Sequence, residues 1–467
     1  MTVDQAIQQG LTLHRAGKLN EAEQVYRAIL QQARHPSALH LLGVILHQRG
    51  QNEPAKDLIT QSLALEPNDY AAHNNLAEVL KALGDAEAAL ACSRRSLELN
   101  PHFGAAHTSI AENLMNLGRV GEVSDHVTKA TTLAPDDPNA HAVRGRYLLL
   151  TGQLTRGWPE YEWRLRKYPH LRRQIPSPRW TGGKIQGRSI LLTAEQGFGD
   201  VLQFVRYADL LAEREAEVYV ECHPELKRLM QRAAGVVQAF AVGEGLPRCD
   251  FHVPLPSLPL AFNTSIKTIP AQVPYITPHP KLVEAWAEMV KKDKPGFKVG
   301  IAWAGRRTHE HDRLRSCPLD VLSELAQVEG VTLYSLQKGA DPAAVEAMKM
   351  VDRTSRMLDF ADTAGLIANL DLVIAVDTAV AHLAGAMGKP VWIMLPFAPE
   401  WRWMLDREDS PWYPTAKLFR QEKAGDWAAM VKRVADYLRA YATAPAASLV
   451  PSPGNPLVPS PGTPGEG

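Results

Sequence analysis

The chain of 467 residues is poor in cysteine, has no net charge and contains no long apolar run. Its four cysteines are scattered, which excludes the paired Cys-x-x-Cys spacing of zinc and redox sites and is typical of reduced thiols. Lys plus Arg and Asp plus Glu each number 51, so no bulk positive field favours nucleic acid or anionic membranes. No segment approaches the roughly 18 uninterrupted apolar residues of a membrane helix, and the first ten residues lack a signal-peptide pattern. We therefore expect a cytoplasmic protein that has no transmembrane segment and does not bind nucleic acid.

Glycine and proline recur at a fixed interval in the first third of the chain. The glycines lie 34 residues apart at Gly50, Gly84, Gly118 and Gly152, and the prolines keep the same interval at Pro67, Pro101 and Pro135. Apolar residues with helical spacing lie between them, so the repeating unit is a helix, a glycine turn, a second helix and a proline stop. This unit resembles the tetratricopeptide repeat, and we count about five repeats over residues 1–168.

An array of such repeats predicts an extended concave groove, because each unit exposes an apolar face that only its neighbour covers. We expect a partner protein or peptide in this groove. His73, His107 and His141 occupy one repeat position, where they suit either packing between neighbouring helices or a string of metal ligands. We favour packing.

From about residue 184 the pattern changes to alternating strands and helices, which predicts two Rossmann-like domains across a cleft. Predicted strands in the first set are SILLTAEQ (189–196), EVYVECH (217–223), VQAFAVG (237–243) and CDFHVPL (249–255). Predicted strands in the second set include FKVGIAWAG (297–305), TLYSLQKG (332–339) and the pair that flanks His382. The predicted boundaries are a repeat array at 1–168, a linker at 169–183, an N-terminal acceptor-side domain at 184–278, a C-terminal donor domain at 279–441 and a disordered Pro/Gly-rich tail at 442–467.

The segment EQGFGD (195–200) lies where the first strand gives way to a helix. Its two glycines allow a tight turn, but Leu202 stands where a dinucleotide-binding loop needs a third small residue, and no Walker Gly-Lys-Ser/Thr follows. The helix N-terminus would keep Asp200 ionised, so this carboxylate is a candidate general base, although a plain helix-terminal charge is the alternative. We predict that Gln196, Gly197 and Gly199 contact the donor.

The segment DTAVAHLAGAMGKPV places Asp377, Thr378 and His382 at the carboxyl end of a buried strand, where a small-residue helix begins. Ligands of parallel sheets bind at such ends, and free helical N–H groups there attract phosphate, although an ordinary helix cap is equally compatible. Two other strand ends supply further candidate donor contacts, Gln337 and Lys338 after one strand and Arg313 and Arg315 after another. His309 and His311 lack a third ligand nearby, so we predict no metal and no cofactor.

EQGFGD together with Asp-Thr-x-x-x-His-x-Ala-Gly-Ala-x-Gly-x-Pro resembles the heptosyltransferase-like glycosyltransferases over about residues 185–441. The resemblance implies a two-domain GT-B fold in which Asp200 acts as base toward the acceptor hydroxyl. It also implies that Asp377, Thr378 and His382 bind the donor diphosphate, which a basic residue, here Arg313 or Arg315, would clamp. The chain departs from the lipopolysaccharide heptosyltransferases in its repeats and in the segment 399–421. The acceptor therefore stays open; we expect a protein or a glycan, and a lipid is the further alternative.

The fold class expected is an α-solenoid of tetratricopeptide repeats followed by a GT-B fold of two Rossmann-like domains. The function expected is metal-independent transfer of a sugar from a nucleotide-sugar donor to an acceptor hydroxyl, with the repeats recruiting the acceptor or a partner protein. Two alternatives stay open, a non-catalytic scaffold with a degenerate GT-B region and a GT-B-type sugar-nucleotide epimerase. The aromatic residues of segment 399–421 suit either sugar stacking or packing at a domain interface; they are Trp401, Trp403, Trp412 and Tyr413.

Overall fold

A computed structural model describes residues 1–195, 197–306 and 312–443, with only the backbone of Arg313. The chain divides into two compact units. The first contains residues 1–148 and 159–167, and the second contains residues 149–158 and the described chain from residue 168 onward. Residues 149–158, which carry the glycine turn of the fifth repeat, thus group with the second unit. Throughout the described residues, no helix combines the length and apolarity needed to cross a bilayer.

Residues 3–167 form helices separated by the turns that the glycine spacing predicts. The helices are α1 (Val3–Arg15), α2 (Leu19–Gln32), α3 (Pro36–Gln48), α4 (Asn52–Leu65), α5 (Tyr70–Leu83), α6 (Ala86–Leu99), α7 (Gly104–Asn116), α8 (Val123–Leu133), α9 (Pro138–Leu150), α10 (Leu154–Tyr161) and α11 (Arg164–Lys167). The first four pairs, from α1 with α2 to α7 with α8, pack against each other. The turn glycines have φ between +70° and +90°, a conformation that costs other residues free energy; they are Gly17, Gly50, Gly84, Gly118 and Gly152.

The repeat histidines bond to the proline stops of the preceding repeats. Nε2 of His73 lies 2.9 Å from the carbonyl oxygen of Pro67, and Nε2 of His141 lies 2.9 Å from that of Pro135. His107 makes the corresponding bond to Pro101. Each histidine therefore ties the start of a helix to the loop before it, which supports the packing interpretation. In the described part of the chain, no three His, Cys, Asp or Glu side chains are grouped as a metal site requires.

The second unit contains two separate parallel sheets. The first sheet has the order β3-β2-β1-β4 and consists of β1 (Ser189–Thr193), β2 (Glu217–Cys222), β3 (Val236–Ala241) and β4 (Phe251–Pro254). The second has the order β10-β9-β8-β5-β6-β7 and consists of β5 (Phe297–Ala302), β6 (Val331–Ser335), β7 (Val351–Asp352), β8 (Leu372–Val376), β9 (Val391–Leu395) and β10 (Ala416–Arg420). We call the two halves built on these sheets the first and second lobes. Every residue of β8 and β9 is buried, as a strand covered on both faces requires.

Helices cover both sheets. They are α12 (Phe198–Phe204), α13 (Tyr207–Ala212), α14 (Pro224–Met230), α15 (Leu258–Ala261), α16 (Pro280–Val290), α17 (Asp312–Arg315), α18 (Ser323–Ala326), α19 (Pro342–Ala347), α20 (Phe360–Ala368), α21 (Ala379–Ala386) and α22 (Trp427–Thr443). The apolar face of α22 enters the core of the second lobe beside β5, β8 and β9. Helix α12 of the first lobe packs against α21 of the second, so the carboxyl ends of the central strands β1 and β8 lie near each other.

Candidate active site

The glycine loop of the first lobe contacts the second lobe directly. Gly197 is the N-cap of α12, and Asp200 lies in the first turn of that helix. A Cβ atom placed on Gly199 would lie 2.8 Å from Cδ2 of His382, so only glycine lets α12 come this close to the imidazole. The structure thus brings together the loop of Asp200 and the corner that carries His382. Gln196 lies outside the described residues.

The corner after β8 consists of Asp377, Thr378 and the start of α21. Nε2 of His382 lies 3.9 Å from Oδ1 of Asp377, and its Nδ1 lies 2.8 Å from the hydroxyl oxygen of Tyr413. The imidazole also stacks on Trp403, with 5.4 Å between ring centroids. Thr378 is the N-cap of α21, and its buried hydroxyl has no hydrogen-bond partner among the described residues. This corner therefore holds a polar group ready to bond a ligand at the helix N-terminus.

His382 is neutral in this environment. Burial holds the pKa of the imidazole well below its usual value, and the positive charges of Arg402, Arg206 and Arg315 lower it further. A neutral imidazole exchanges hydrogen bonds with a ligand without adding charge to the site. The positive charge near a bound diphosphate would come instead from Arg315, which lies beside the corner.

Arg402 joins the two lobes at Asp200. Its Nη2 donates to Oδ1 of Asp200, its Nε donates to the amide oxygen of Gln203, and its Nη1 donates to Oε1 of Glu400 at 2.7 Å. Only 10% of the Arg402 side chain is exposed, against 24% for Asp200 and 34% for Glu400. One guanidinium group thus holds a carboxylate from each lobe.

Glu400 is the carboxyl group with the most perturbed ionisation near the site. Desolvation raises its pKa to about 7, and the negative charge of Asp377 adds to the rise while Arg402 opposes it. A carboxyl group that titrates near neutral pH is suited to proton transfer, and such groups are concentrated at active sites.

The aromatic residues of segment 399–421 pack between the lobes. Arg206, which lies between α12 and α13, donates to the carbonyl oxygen of Trp412 at 2.6 Å and to the hydroxyl of Tyr275 at 2.8 Å. Trp401 is 3% exposed, and three further aromatic residues are fully buried, namely Trp403, Trp412 and Tyr413. The sugar-stacking interpretation of these residues is therefore wrong, because their rings are already covered by protein.

The remaining predicted donor contacts lie around the carboxyl edge of the second sheet. Nη1 of Arg315 lies 3.4 Å from the backbone oxygen of Asp377, which places this guanidinium beside the corner. The side chain of Arg313 lies outside the described atoms. The Gln337 amide oxygen accepts a bond from the backbone N–H of Ala304 at 3.0 Å.

Lys338 is engaged away from the corner. Its Nζ donates to the carbonyl oxygens of Met357 and Leu358 at 2.9 and 3.3 Å. Both Gln337 and Lys338 therefore fix loop backbone in this structure, and their contact with a donor stays a prediction.

Sequence reasoning missed Glu400, Arg402 and Gln203. The signal for the first two lies in PEWRW (399–403), where charged residues alternate with tryptophans. No local signal marks Gln203, which follows Asp200 by three residues on α12 and is completely buried.

Comparison with known proteins finds family matches in both parts of the chain. Residues 344–394, which include Asp377, Thr378 and His382, match the sequence model of glycosyltransferase family 9 (heptosyltransferase), and residues 36–69 and 58–91 match tetratricopeptide repeat models. The chain thus combines segments that match tetratricopeptide repeat models with a segment that matches the family 9 glycosyltransferase model. The predicted fold class, a helical repeat solenoid followed by parallel α/β lobes, is confirmed.

Among similar proteins, Protein FlbA of Caulobacter vibrioides is 28% identical over 348 residues, which is 67% of this chain. The chain spans 58% of the length of FlbA. Two solved structures also resemble part of the chain. The tetratricopeptide repeat protein TTC0263 of Thermus thermophilus is 20% identical and covers 36% of this chain and 92% of its own, with a TM-score of 0.33. The pilF protein of Pseudomonas aeruginosa is 16% identical and covers 46% and 86%, with a TM-score of 0.34.

Proposed function

We propose that the protein transfers a sugar from a nucleotide-sugar donor to an acceptor hydroxyl. The observation that carries this proposal is the contact between the loop of Asp200 and the His382 corner, which belongs to the family 9 segment. The Asp200 carboxylate of the first lobe and the N-terminus of α21 in the second lobe are thereby close enough to act on two substrates that meet between them. Transfer between two substrates needs this arrangement, because the base must reach the acceptor while the donor diphosphate is held.

In the proposed step, the Asp200 carboxylate takes the proton of the acceptor hydroxyl while the oxygen of that hydroxyl forms a bond to the anomeric carbon of the donor sugar. The bond from that carbon to the diphosphate breaks, and the nucleoside diphosphate leaves with the electron pair. Arg315 and the backbone N–H groups at the start of α21 stabilise the negative charge that develops on this leaving group. The Thr378 hydroxyl supplies a further hydrogen bond, and the step needs no metal ion.

The repeats recruit the acceptor or a protein that carries it. This part of the proposal is supported by the match of residues 36–69 and 58–91 to repeats and by the helix pairs that the structure contains. Repeat arrays expose extended surfaces on which a peptide binds.

A thermal-shift screen with UDP-N-acetylglucosamine, GDP-mannose and ADP-glucose tests donor binding, because a bound ligand stabilises the folded protein by mass action. We then expect Asp200→Asn to keep the shift of the best donor while release of its nucleoside diphosphate falls at least about a hundredfold. Asp209→Asn, on α13 of the same lobe, is the matched control and should keep wild-type turnover.

Each alternative has its own signature in these measurements. A scaffold would bind no nucleotide sugar, and Asp200→Asn would leave partner binding unchanged. An epimerase would convert the nucleotide sugar to its epimer without any acceptor. Wild-type turnover in Asp200→Asn would remove Asp200 from the mechanism.

A further inference from the structure

We propose that Arg402 is a positioning residue that aims the Asp200 carboxylate, and that Glu400 shares the charge of Arg402 so that Asp200 remains an effective base. This inference deepens the proposed sugar transfer and rests on it. It assigns a role to two residues that lie outside the family 9 segment.

The first argument is geometric. Arg402 uses its Nε, Nη1 and Nη2 atoms on three different acceptors, which are Gln203, Glu400 and Asp200. The planar fork of arginine reaches such a set at fixed angles, whereas the point charge of lysine does not. The Asp200 carboxylate is therefore held in one orientation by a side chain of the opposite lobe.

The guanidinium itself is fixed by its surroundings. It lies over the ring of Trp401 at 4.5 Å and near the ring of Phe204 at 5.6 Å, one from each lobe. The backbone of the same turn is held by Arg420, whose Nη2 donates to the carbonyl oxygen of Trp403 at 2.6 Å. Because the guanidinium is itself held in place by packing and hydrogen bonds, it fixes the orientation of the Asp200 carboxylate to which it donates.

The second argument concerns charge. A guanidinium that paired with Asp200 alone would stabilise the carboxylate and so weaken it as a base. Glu400 accepts from the side chain of Arg402 through one oxygen and from its backbone N–H at 2.9 Å through the other. The ionised Glu400 thus balances the cation through a different nitrogen from the one that bonds Asp200.

The other charged groups around Arg402, Asp200 and Glu400 do not take over the role of Glu400 in balancing the charge of Arg402. Arg206, just after α12, and Arg315 on α17 add positive charge, which also acts on His382 of α21. Asp377, after β8, is the further carboxylate, and its negative charge acts on Glu400. Loss of the Glu400 charge would therefore leave Asp200 facing an uncompensated cation.

The steady-state test uses release of nucleoside diphosphate from the best donor of the thermal-shift screen. We expect Arg402→Lys and Arg402→Met to lower kcat at least about tenfold while the donor KM stays within about threefold of wild type, because the carboxylate loses its orientation and the donor site does not. Arg407→Met is the matched control, since Arg407 pairs with exposed Asp409 in the same segment. A kcat equal to that of this control would overturn the proposal.

The pH profile separates positioning from general damage. The wild-type rate should rise through about pH 7 as Glu400 ionises and relieves Asp200 of the excess charge of Arg402. Glu400→Gln should lack this rise and stay at the low-pH rate. A rise that persists in Glu400→Gln would show that Glu400 does not balance Arg402.

A cycle of Asp200→Asn and Arg402→Met, alone and combined, gives a readout that needs no turnover. Nine of the ten tryptophans lie in the second unit, so intrinsic fluorescence follows its unfolding in urea. We expect the double variant to unfold at nearly the same midpoint as the worse single variant, because both changes break one contact. Additive shifts would refute the contact even where the proposed transfer itself failed.

Discussion

Replacement of Gly199 by alanine tests the contact on which the candidate site is built. The new methyl group would lie 2.8 Å from Cδ2 and 3.3 Å from Nε2 of His382, well inside van der Waals contact. His382 has little freedom to retreat, because it is bonded to Tyr413 and stacked on Trp403. We therefore expect α12 to shift away from α21 by about 0.5–1 Å, at a cost of about 1–3 kcal/mol in stability.

The functional consequence should exceed the loss of stability. A displacement of about 1 Å between catalytic groups lowers rates by as much as about a hundredfold, so Gly199→Ala should retain its fold and lose most turnover. The assay measures nucleoside diphosphate release together with the urea midpoint. Gly245→Ala is the control in the same lobe, because a Cβ there meets no atom within 4 Å. Wild-type turnover in Gly199→Ala would refute the claim that this close approach of the two lobes forms the site.

Two further predictions concern the repeats. Asn113 is completely buried, and neither atom of its amide group has a hydrogen-bond partner among the described residues. The equivalent residue one repeat earlier is the buried Val79. Asn113→Val should therefore stabilise the first unit by about 1–3 kcal/mol, and Val79→Asn should destabilise it. Urea midpoints followed by circular dichroism check both, and a loss of stability in Asn113→Val would indicate that the amide has a partner. Burial, together with the charges of His126 and Lys129, lowers the pKa of His107 to about 4. The neutral imidazole therefore contributes at most about 3 kcal/mol to the free energy of unfolding above pH 6.5, and this contribution is lost as the pH falls toward 4. Unfolding midpoints of wild type and His107→Gln between pH 4 and 7 test this, and parallel curves would contradict it.

Local periodicity carried most of the fold prediction. The glycine interval marked the turn within each repeat, because left-handed φ values demand the same residue each time. The buried strands β8 and β9 were equally visible as apolar runs. The strands β7 and β10 were missed, since β7 has two residues and β10 is defined by its pairing with β9 across twenty residues of aromatic sequence.

The candidate site was predictable only where the topology of the sheet decides it. Because ligands of parallel sheets bind at the carboxyl ends of the strands, the sequence indicated that Asp200 and the His382 corner lie at ligand-binding edges of their sheets. The bonds of Arg402 to Asp200 and Gln203 join residues about 200 positions apart, and no spacing in the sequence announces such a contact. The roles of the predicted donor-binding residues stay predictions.

The grouping of residues 149–158 with the second unit decides where the α/β region can be separated from the repeats. Trp158 is 1% exposed, packs its ring edge-on against Trp401 at 5.4 Å, and donates its Nε1 hydrogen to the carbonyl oxygen of Thr264 at 2.7 Å. A truncation that starts after residue 168 would excise this indole and leave a hole beside the turn that carries Arg402. An expressible catalytic fragment should therefore begin before residue 149, even though the repeat pattern extends beyond that point.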